Sequence, residues 1–445
     1  MTNVPPPSLE ERPSPVDRLL RLFTDVRPGE GAAAGLLLLS LFLLFIGYYV
    51  LKTVREPLIL QGGGAEVASY SAAGQAVVLI GFIPLFGWVA SKVPRLKLVA
   101  GTIAFFILCI ELFYVAVAAG VPYVGVVFFI WLGIYNVATV ALFWSFANDL
   151  YTRDAGQRLF PMIAIGATAG GPVGAWIAGH LFRAGFKGYQ MFQITAAVLV
   201  AHLVIYVVVD RMKLRRADAT VAPPPAPLPG PGGFALTVRS PYIRLIALLL
   251  VVLNLVNSNG EYLIRHFVIE ASAHAPDPAA FQGSFSGSYL FWVSIGAMIL
   301  QVFAVSRIVK YLGIAGVILI PIAIGFGTYG LAAVGTAFAV FRWAKTTENA
   351  SDYSVMNTAK QMLWLPTTRA EKYKAKQAVD TFFVRLGDVL SAAGVFVATT
   401  WFGLGVRGFG LMNLVFVAIW LAIALQLLKE HRRLTGGADA DPGAR

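Results

Sequence analysis

The stretch "GYYVLKTVREPLIL", residues 47–60, sets three charged side chains inside a long apolar run. A charge at membrane depth costs roughly 2.5–3.5 kcal/mol on insertion scales. At the helical period Tyr48, Lys52, Arg55 and Glu56 share one face, and "PLIL" resumes the apolar run after them. The stretch therefore predicts a membrane helix whose polar stripe borders a water-filled cavity. The alternative is that these cations simply snorkel to the outer membrane surface.

The composition of the whole chain agrees with a membrane protein. Of its 445 residues 58% are hydrophobic and 13% are charged, with a mean hydropathy of +0.72. A soluble domain of this balance lacks enough polar surface to cover itself, which indicates a polytopic membrane protein. The polar, Pro-rich first 30 residues have no apolar signal-peptide core, so we expect an uncleaved N-terminus.

Apolar runs long enough to cross about 30 Å of hydrocarbon occur twelve times, which predicts an all-α protein of twelve transmembrane helices in a 6+6 arrangement. The ninth and tenth runs are separated by a turn that we place in "GTYGLAAVG". The predicted spans are 31–58, 68–91, 97–119, 122–149, 159–182, 189–210, 241–268, 283–305, 311–331, 332–355, 377–404 and 407–429.

The same runs define five parts of the chain. The Pro/Gly-rich stretch 211–240 predicts a flexible cytoplasmic linker. It separates two six-helix bundles, 31–210 and 241–429, and the cytoplasmic tails are 1–30 and 430–445. Lys and Arg concentrate on alternate connections, so the net charge of +12 is mainly an orientation signal that places both termini in the cytoplasm. We therefore expect a monomer in the lipid of a bacterial inner membrane, without a nucleic-acid partner.

The seventh predicted helix carries a second polar face. Asn254, Ser258, Glu261 and Arg265 follow one another at spacings of four, three and four, with Asn257 beside them. "YLIRHF" in this helix also repeats the pattern of "YVLKTV" in the first, as expected for equivalent helices of a duplicated transporter. The face lines a bundle interior, or it forms a hydrogen-bonded seam between helices.

The tenth predicted helix contains "FRWAKTTENASDYS", in which four charged residues lie on one face: Arg342, Lys345, Glu348 and Asp352. These charges pair as static contacts or as gates that break during transport. Arg342 is the deepest in the predicted span and is the preferred ligand for a bound anion.

Two further charged pairs lie near helix ends. Arg385 and Asp388 are one turn apart in the eleventh helix, as a self-neutralising pair or as a substrate contact. Asn148 and Asp149 end the fourth helix, where the helix dipole disfavours an anion, so we expect a cationic partner and an inner gate.

Glycines at a four-residue spacing mark close packing of helices. Gly166, Gly170 and Gly174 repeat in the fifth helix, and Gly283 and Gly287 repeat in the eighth. The spacing predicts contact of these two helices across the bundles, or ordinary packing within one bundle.

The buried charges favour an anionic solute because the bases outnumber the acids. The bases are Lys52, Arg55, Arg265, Arg342, Lys345 and Arg385, and the acids are Glu56, Glu261, Glu348 and Asp388. Arginine presents a planar fork that suits phosphate or carboxylate. The sequence has no P-loop, metal-ligand cluster or nucleophilic triad, so we expect neither an enzyme nor a cofactor nor a metal.

Three stretches resemble the nucleotide transporter family, the ATP/ADP exchangers of plastids and intracellular bacteria: "YYVLKTVREPL", "FWSFANDLYTRDAGQRLFP" and "YSVMNTAKQMLWLPTTRAEKYKAKQAVD". The resemblance implies a major-facilitator-like fold and nucleotide exchange, with Arg55 at the family's phosphate-binding base and Glu56 as its acidic neighbour. The chain departs from the family pattern at three places. Leu132 and Asn136 replace a carboxylate, Asn257 replaces an acid, and Asp388 follows Gly387 in place of a lysine.

The expected function is secondary transport of an anionic solute by alternating access, with exchange expected if the empty cavity reorients poorly. Lys52, Arg55, Arg265 and Arg342 are expected to contact the anion, with Tyr48, Asn257 and Arg385 around it. Glu56, Glu261 and Glu348 are expected to neutralise the bases when the cavity is empty. Two alternatives remain: a proton-coupled carrier of sugars, drugs or small acids driven by Glu111 or Glu261, and a scaffold whose charges are fixed ion pairs.

Overall fold

A computed structural model describes residues 15–21, 24–214 and 232–436. The regular structure in these ranges is helical, and nine segments within them are long and apolar enough to cross a membrane. The chain is therefore an all-helical integral membrane protein. Residues 215–231, most of the predicted linker, and both outer parts of the tails lie outside the described ranges.

The first half of the described chain contains α1 (Pro15–Leu20), α2 (Gly31–Lys92), α3 (Arg95–Ala118), α4 (Val124–Leu150), α5 (Arg153–Arg183) and α6 (Phe192–Leu214). The second half contains α7 (Gly233–Arg239), α8 (Pro241–Ser272), α9 (Pro278–Ile299), α10 (Val305–Val334), α11 (Phe338–Ser351), α12 (Asn357–Met362), α13 (Lys376–Ala378), α14 (Val384–Thr400) and α15 (Val406–Gly436). The end of the predicted linker is thus helical, since α7 occupies 233–239.

Helix α2 contains both of the first two predicted spans. Its 62 residues would extend about 93 Å if straight, three times the thickness of the hydrocarbon core. The helix instead breaks at Gly64, where φ is 78° and ψ is −170°, a conformation that glycine adopts without a steric penalty. The connection between the two spans is therefore a helical elbow, much shorter than the predicted loop between 58 and 68.

The predicted turn between the ninth and tenth spans is placed too early. Helix α10 runs through the predicted turn to Val334 and ends at Gly335 with φ of 77°, a left-handed cap typical of glycine. Helix α11 begins only at Phe338, and a π-helical segment, Asp352–Met356, joins it to α12. Residues of α11 therefore lie closer to the turn between α10 and α11 than the predicted span 332–355 implies.

Two large apolar cores divide the chain. One is built from residues of 26–209, with Tyr135 and Tyr206 fully enclosed. The other is built from Ala65 and residues of 242–428, with Tyr329 fully enclosed. A smaller cluster, which contains Leu60 and Phe129 of the first half and Val268 of the second, joins the two halves.

Glycines of α5 and α9 bring the halves into backbone contact. A Cβ atom placed on Gly287 would lie 2.5 Å from Cα of Gly179, and one placed on Gly283 would lie 2.4 Å from the ring of Phe182. The predicted contact between the fifth and eighth spans is therefore made by these glycines.

The glycine repeat of α5 packs elsewhere. Cβ atoms on its three members would meet backbone carbonyl oxygens of α2 at 2.4–2.5 Å, so the cross-bundle interpretation is wrong for this repeat. Its members, Gly166, Gly170 and Gly174, lie against Leu38, Phe42 and Ile46 respectively.

Candidate functional site

A cavity of about 230 Å³ lies between the halves. It is lined by residues of α2, α8, α9, α11 and α14, together with Phe129 of α4 and Tyr353 of the π-helical segment. The polar stripes that the sequence predicts on α2 and α8 thus face one another across this space, because both helices present their charged faces to the interface between the two apolar cores.

Glu56 connects the halves in the part of the cavity wall that lies near Phe129. Its Oε2 accepts a hydrogen bond from Nε of Arg265 at 2.9 Å, and its Oε1 accepts one from Nε of Arg55 at 3.0 Å. The side chains of Glu56 and Arg265 are only 14% and 10% exposed. The Arg55 guanidinium also lies 4.2 Å from the ring centre of Phe129, a cation–π geometry. One carboxylate therefore pairs with two guanidinium groups, one from each half, and the three side chains together keep one positive charge.

Lys52 lies one helical turn before Arg55 and also lines the cavity. Its ammonium group is 5.3 Å from the ring centre of Tyr49. Within the described ranges no carboxylate lies within 4 Å of it. Tyr48 packs edge-on against Tyr49 and Phe45 instead of bordering the cavity.

Glu261 borders the same cavity from α8. Its Oε1 accepts hydrogen bonds from Nδ2 of Asn349 at 2.7 Å and from the hydroxyl of Tyr289 at 3.3 Å. Two neutral donors thus hold the carboxylate in position, and among the described residues no Lys or Arg reaches it within 4 Å.

A fully buried ion pair lies behind the cavity wall. Lys345, whose side chain is 0% exposed, is 2.8 Å from Oε2 of Glu348 and donates to Oδ1 of Asn257 at 2.9 Å. The other oxygen of Glu348 accepts a hydrogen bond from Tyr329 at 2.7 Å. Lys345 and Glu348 do not line the cavity, so the pair supports Asn257, which does.

A third charged group comes from α14. Arg385 is 3.3 Å from Oδ2 of Asp388, and both line the cavity. Oδ1 of Asp388 accepts hydrogen bonds from Asn254 at 2.7 Å and Ser258 at 2.8 Å. The polar face of α8 therefore has two roles: its first half fixes Asp388, and its second half carries Glu261 and Arg265 to the cavity.

The two ends of the cavity differ. At one end lie Leu60, Phe129 and Val268, which are 3–7% exposed. At the other lie Tyr353, which is 51% exposed, and Arg385, whose side chain is 37% exposed. The apolar cluster that joins the halves therefore closes one end, and the cavity opens at the other.

Arg342 is not part of the cavity, which corrects the sequence prediction. Its guanidinium donates to the hydroxyl of Ser288 at 2.7 Å and lies 5.2 Å from the ring centres of Phe285 and Trp343. The physical reason is the late start of α11 at Phe338, which puts Arg342 in the second turn and leaves Lys345 as the deeper cation.

Asn148 and Asp149 are also remote from the cavity. Both are exposed in the last turn of α4 and are absent from the cavity wall. Glu111 is likewise outside it and accepts a hydrogen bond from Gln193 of α6 at 2.9 Å.

Several uncharged residues of the cavity wall were missed at the sequence level. Gln75 of α2, Gln282 of α9 and Asn349 of α11 all line it. Gln75 lies in an otherwise apolar stretch, "AAGQAVV", and a single amide in such a stretch is a signal that the charge count passed over. In the described residues no group of three or more His, Cys, Asp or Glu side chains is arranged to hold a metal ion.

Two polar contacts join the halves beyond the closed end. The hydroxyl of Tyr262 donates to Glu66 at 2.9 Å, and Lys187 is 3.2 Å from Asp277. The backbone N–H of Ala280 and the Lys187 ammonium both hold the pKa of Asp277 below its ordinary value. Asp277 also caps α9, since it accepts that N–H at 2.9 Å.

Comparison with known proteins adds sequence relatives and a fold. No family model matches the chain. It is 21% identical over 334 residues to ADP,ATP carrier protein 1 of Chlamydia trachomatis, covering 66% of this chain and 62% of that protein. The corresponding protein of Chlamydia pneumoniae is 23% identical over 339 residues, covering 66% and 64%. These matches confirm the resemblance, although the aligned region spans less than two thirds of each relative.

Solved structures share the fold over most of the chain. A bacterial homologue of the iron transporter ferroportin in an inward-facing state aligns with a TM-score of 0.66 at 15% identity, covering 89% of this chain and 98% of that one. The nucleoside transporter NupG aligns with a TM-score of 0.62 at 15% identity, covering 89% and 98%. The chain therefore has a major-facilitator-type fold, as expected from the sequence.

Proposed function

We propose that the protein is a secondary transporter with twelve membrane crossings in two six-helix halves, 31–210 and 241–429. Two of the nine apolar segments, of 62 and 57 residues, are each long enough for two crossings, because one crossing needs about 20 residues. Counting each of these two segments as two crossings gives eleven crossings in the described residues. The helix from 338 to 362, which is too highly charged to be among the nine apolar segments, supplies the twelfth. The stretch 211–240 then acts as the connection between the halves.

The proposed substrate is an anionic organic solute, a nucleotide or another phosphorylated metabolite, bound in the cavity. The observation that carries this proposal is the pair of arginines, Arg55 and Arg265, that reach Glu56 from opposite halves. Guanidinium groups bind phosphate and carboxylate oxygens in the fork geometry by which Arg265 contacts both oxygens of Glu56. The names of the relatives, ADP,ATP carrier proteins, support the same substrate class.

Transport is proposed to follow alternating access. The ion pair of Glu56 with Arg265 and the apolar cluster around Leu60 hold the halves together at one end, and the cavity opens beside Tyr353 at the other. With both termini in the cytoplasm of a bacterial inner-membrane protein, as the positive-inside rule favours, this is an inward-facing state. An anion that takes Glu56's place on the arginines loosens the closed end.

Counterflow into proteoliposomes tests this function. Vesicles loaded with one nucleotide of the series AMP, ADP and ATP are expected to take up the labelled form of the same nucleotide faster than empty vesicles for at least one member, and Arg265→Gln is expected to abolish that uptake. Arg342→Gln serves as the matched control, because it removes a membrane arginine that does not line the cavity. Equal uptake by loaded and empty vesicles would remove the exchange mode.

A collapse of uptake when the proton gradient is dissipated would instead support the proton-coupled carrier. If none of a panel of nucleotides, sugar phosphates and carboxylates is transported or raises the thermal stability of the purified protein, the transport proposal itself fails.

A further inference from the structure

Two opposite charges that line the cavity make no ion pair within 4 Å with any described residue. The ion pairs at its wall join Arg55 and Arg265 to Glu56, and Arg385 to Asp388. When these groups are set aside, Lys52 remains as a cation and Glu261 as an anion, both lining the same space. Neither has an oppositely charged side chain within 4 Å among the described residues.

Both groups are built into the wall. Glu261 is held by the amide of Asn349 and the hydroxyl of Tyr289, which orient the carboxylate without neutralising it. Lys52 follows Tyr49 on α2 and has its ammonium over that ring, so the cation is positioned by an aromatic face. Unneutralised charges at low dielectric are costly, and a ligand that supplies the missing partners recovers that cost.

The charges at the cavity wall also disfavour a polyanion. Lys52, Arg55, Arg265 and Arg385 supply four positive charges, and Glu56, Glu261 and Asp388 supply three negative ones, a difference of one. A wholly anionic solute would meet the Glu261 carboxylate without a compensating donor, and like charges at close range reject a ligand. The volume of about 230 Å³ lies below the usual 300–1,000 Å³ of drug-sized pockets, which favours a small solute.

We infer that the cavity selects a small solute with one phosphate or carboxylate group, which binds at Lys52, and one nitrogen donor, which binds at Glu261. This inference rests on the proposed function and narrows its substrate class. The donor is either a cationic amine on an alkyl chain or the neutral exocyclic amine of a nucleobase, since a carboxylate accepts hydrogen bonds from both.

Two matched pairs of phosphates test the inference by calorimetry on the purified full chain. The 2-aminoethyl phosphate and ethyl phosphate pair differs only in a cationic amine. AMP and purine riboside 5′-monophosphate differ only in the exocyclic amine of the base. In at least one pair the amine-bearing phosphate is expected to bind about tenfold more tightly, which corresponds to about 1.4 kcal/mol, and the pair that shows the ratio identifies the kind of donor.

Glu261→Gln is expected to bring that ratio close to one while phosphate binding persists, and Lys52→Gln is expected to weaken all four phosphates. Glu111→Gln is the matched control, because Glu111 is a membrane carboxylate outside the cavity, and it should leave the ratio unchanged. Ratios near one in the wild-type protein for both pairs would overturn the inference even if Glu261→Gln failed to fold. An unchanged ratio in Glu261→Gln would overturn it as well, and so would the absence of binding by all four phosphates. The proposed function fails separately, if nothing in the panel of nucleotides, sugar phosphates and carboxylates is transported or raises thermal stability.

Discussion

Replacing Glu56 by glutamine removes the carboxylate that two guanidinium groups share, and its effect is predictable from the structure. The side chains of Glu56 and Arg55 are each 14% exposed, and that of Arg265 is 10% exposed, so solvent screens the pair weakly. Glutamine keeps the size of the side chain and one acceptor oxygen. The substitution therefore isolates the charge.

The expected magnitude follows from the cost of an uncompensated buried charge. Breaking a buried ion pair by removing one partner costs about 3–5 kcal/mol, and the remaining acceptor of glutamine argues for the lower end. Because Glu56 and Arg265 belong to different halves, this cost falls on the conformation in which that end of the cavity is closed. About 3 kcal/mol corresponds to a shift of about a hundredfold in the balance between closed and open conformations.

Spin labels at the closed end report this balance. Cysteines at 187 and 277, in a Cys109→Ala background, mark positions whose side chains are 3.2 Å apart across the halves. Losing that exposed pair costs at most about 1 kcal/mol, and losing the Asp277 cap of α9 costs about 0.5–2 kcal/mol, so all variants are compared in this same double-cysteine background. We expect Glu56→Gln to add a long-distance population that wild type and Glu111→Gln lack. An unchanged distance distribution, together with unchanged thermal stability, would refute the reasoning that Glu56 holds the halves together.

Three further outcomes are expected. Gly287→Ala should lower thermal stability and transport, because its Cβ would meet backbone at 2.5 Å, whereas Gly330→Ala, with nothing within 4 Å, should be neutral in both assays. Lys345→Met should destabilise the protein by about 3–5 kcal/mol, since it leaves the Glu348 carboxylate buried without a cation, and adding Glu348→Leu should restore much of the loss in denaturant titrations. Because the pKa of Asp277 is lowered in the folded protein, this carboxylate stabilises the fold at pH values above its ordinary pKa, and the contribution is lost as the pH falls through the lower, folded-state pKa. Asp277→Asn should therefore flatten that part of a stability–pH profile. An identical profile would contradict the assignment.

The polar faces of α2 and α8 were predictable from the sequence, because a charged residue in an apolar membrane span is stable only in a bundle interior or a water-filled cavity. Lys52, Arg55, Glu261 and Arg265 all border the cavity for this reason. The helical period was enough to group them, since residues on one face of a helix share one environment. The fold class followed from the lengths of the apolar runs and was supported by the resemblance.

The depth of a residue in the membrane was less predictable, because it depends on the residue at which its helix begins. "GTYGLAAVG" contains three glycines, and composition alone does not tell which of its residues ends the helix. The break at Gly335 instead of earlier in this stretch moves Arg342 out of the cavity. Glycine packing has the same ambiguity, since a repeat such as Gly166 and Gly170 has the same spacing whichever helix it touches.

The arrangement of charges gives a physical reason for exchange. In the empty cavity Glu56 satisfies Arg265, and opening the closed end would separate them, leaving two charges to be desolvated and unpaired. A bound anion supplies a replacement for Glu56 on that arginine, so the loaded protein changes conformation at a lower cost than the empty one. Lys52 needs no such release, because no carboxylate of the described residues lies within 4 Å of it. It is for this reason expected to be the group that first attracts the anion. We therefore expect the anion to bind Lys52 first and to replace Glu56 on Arg265 second.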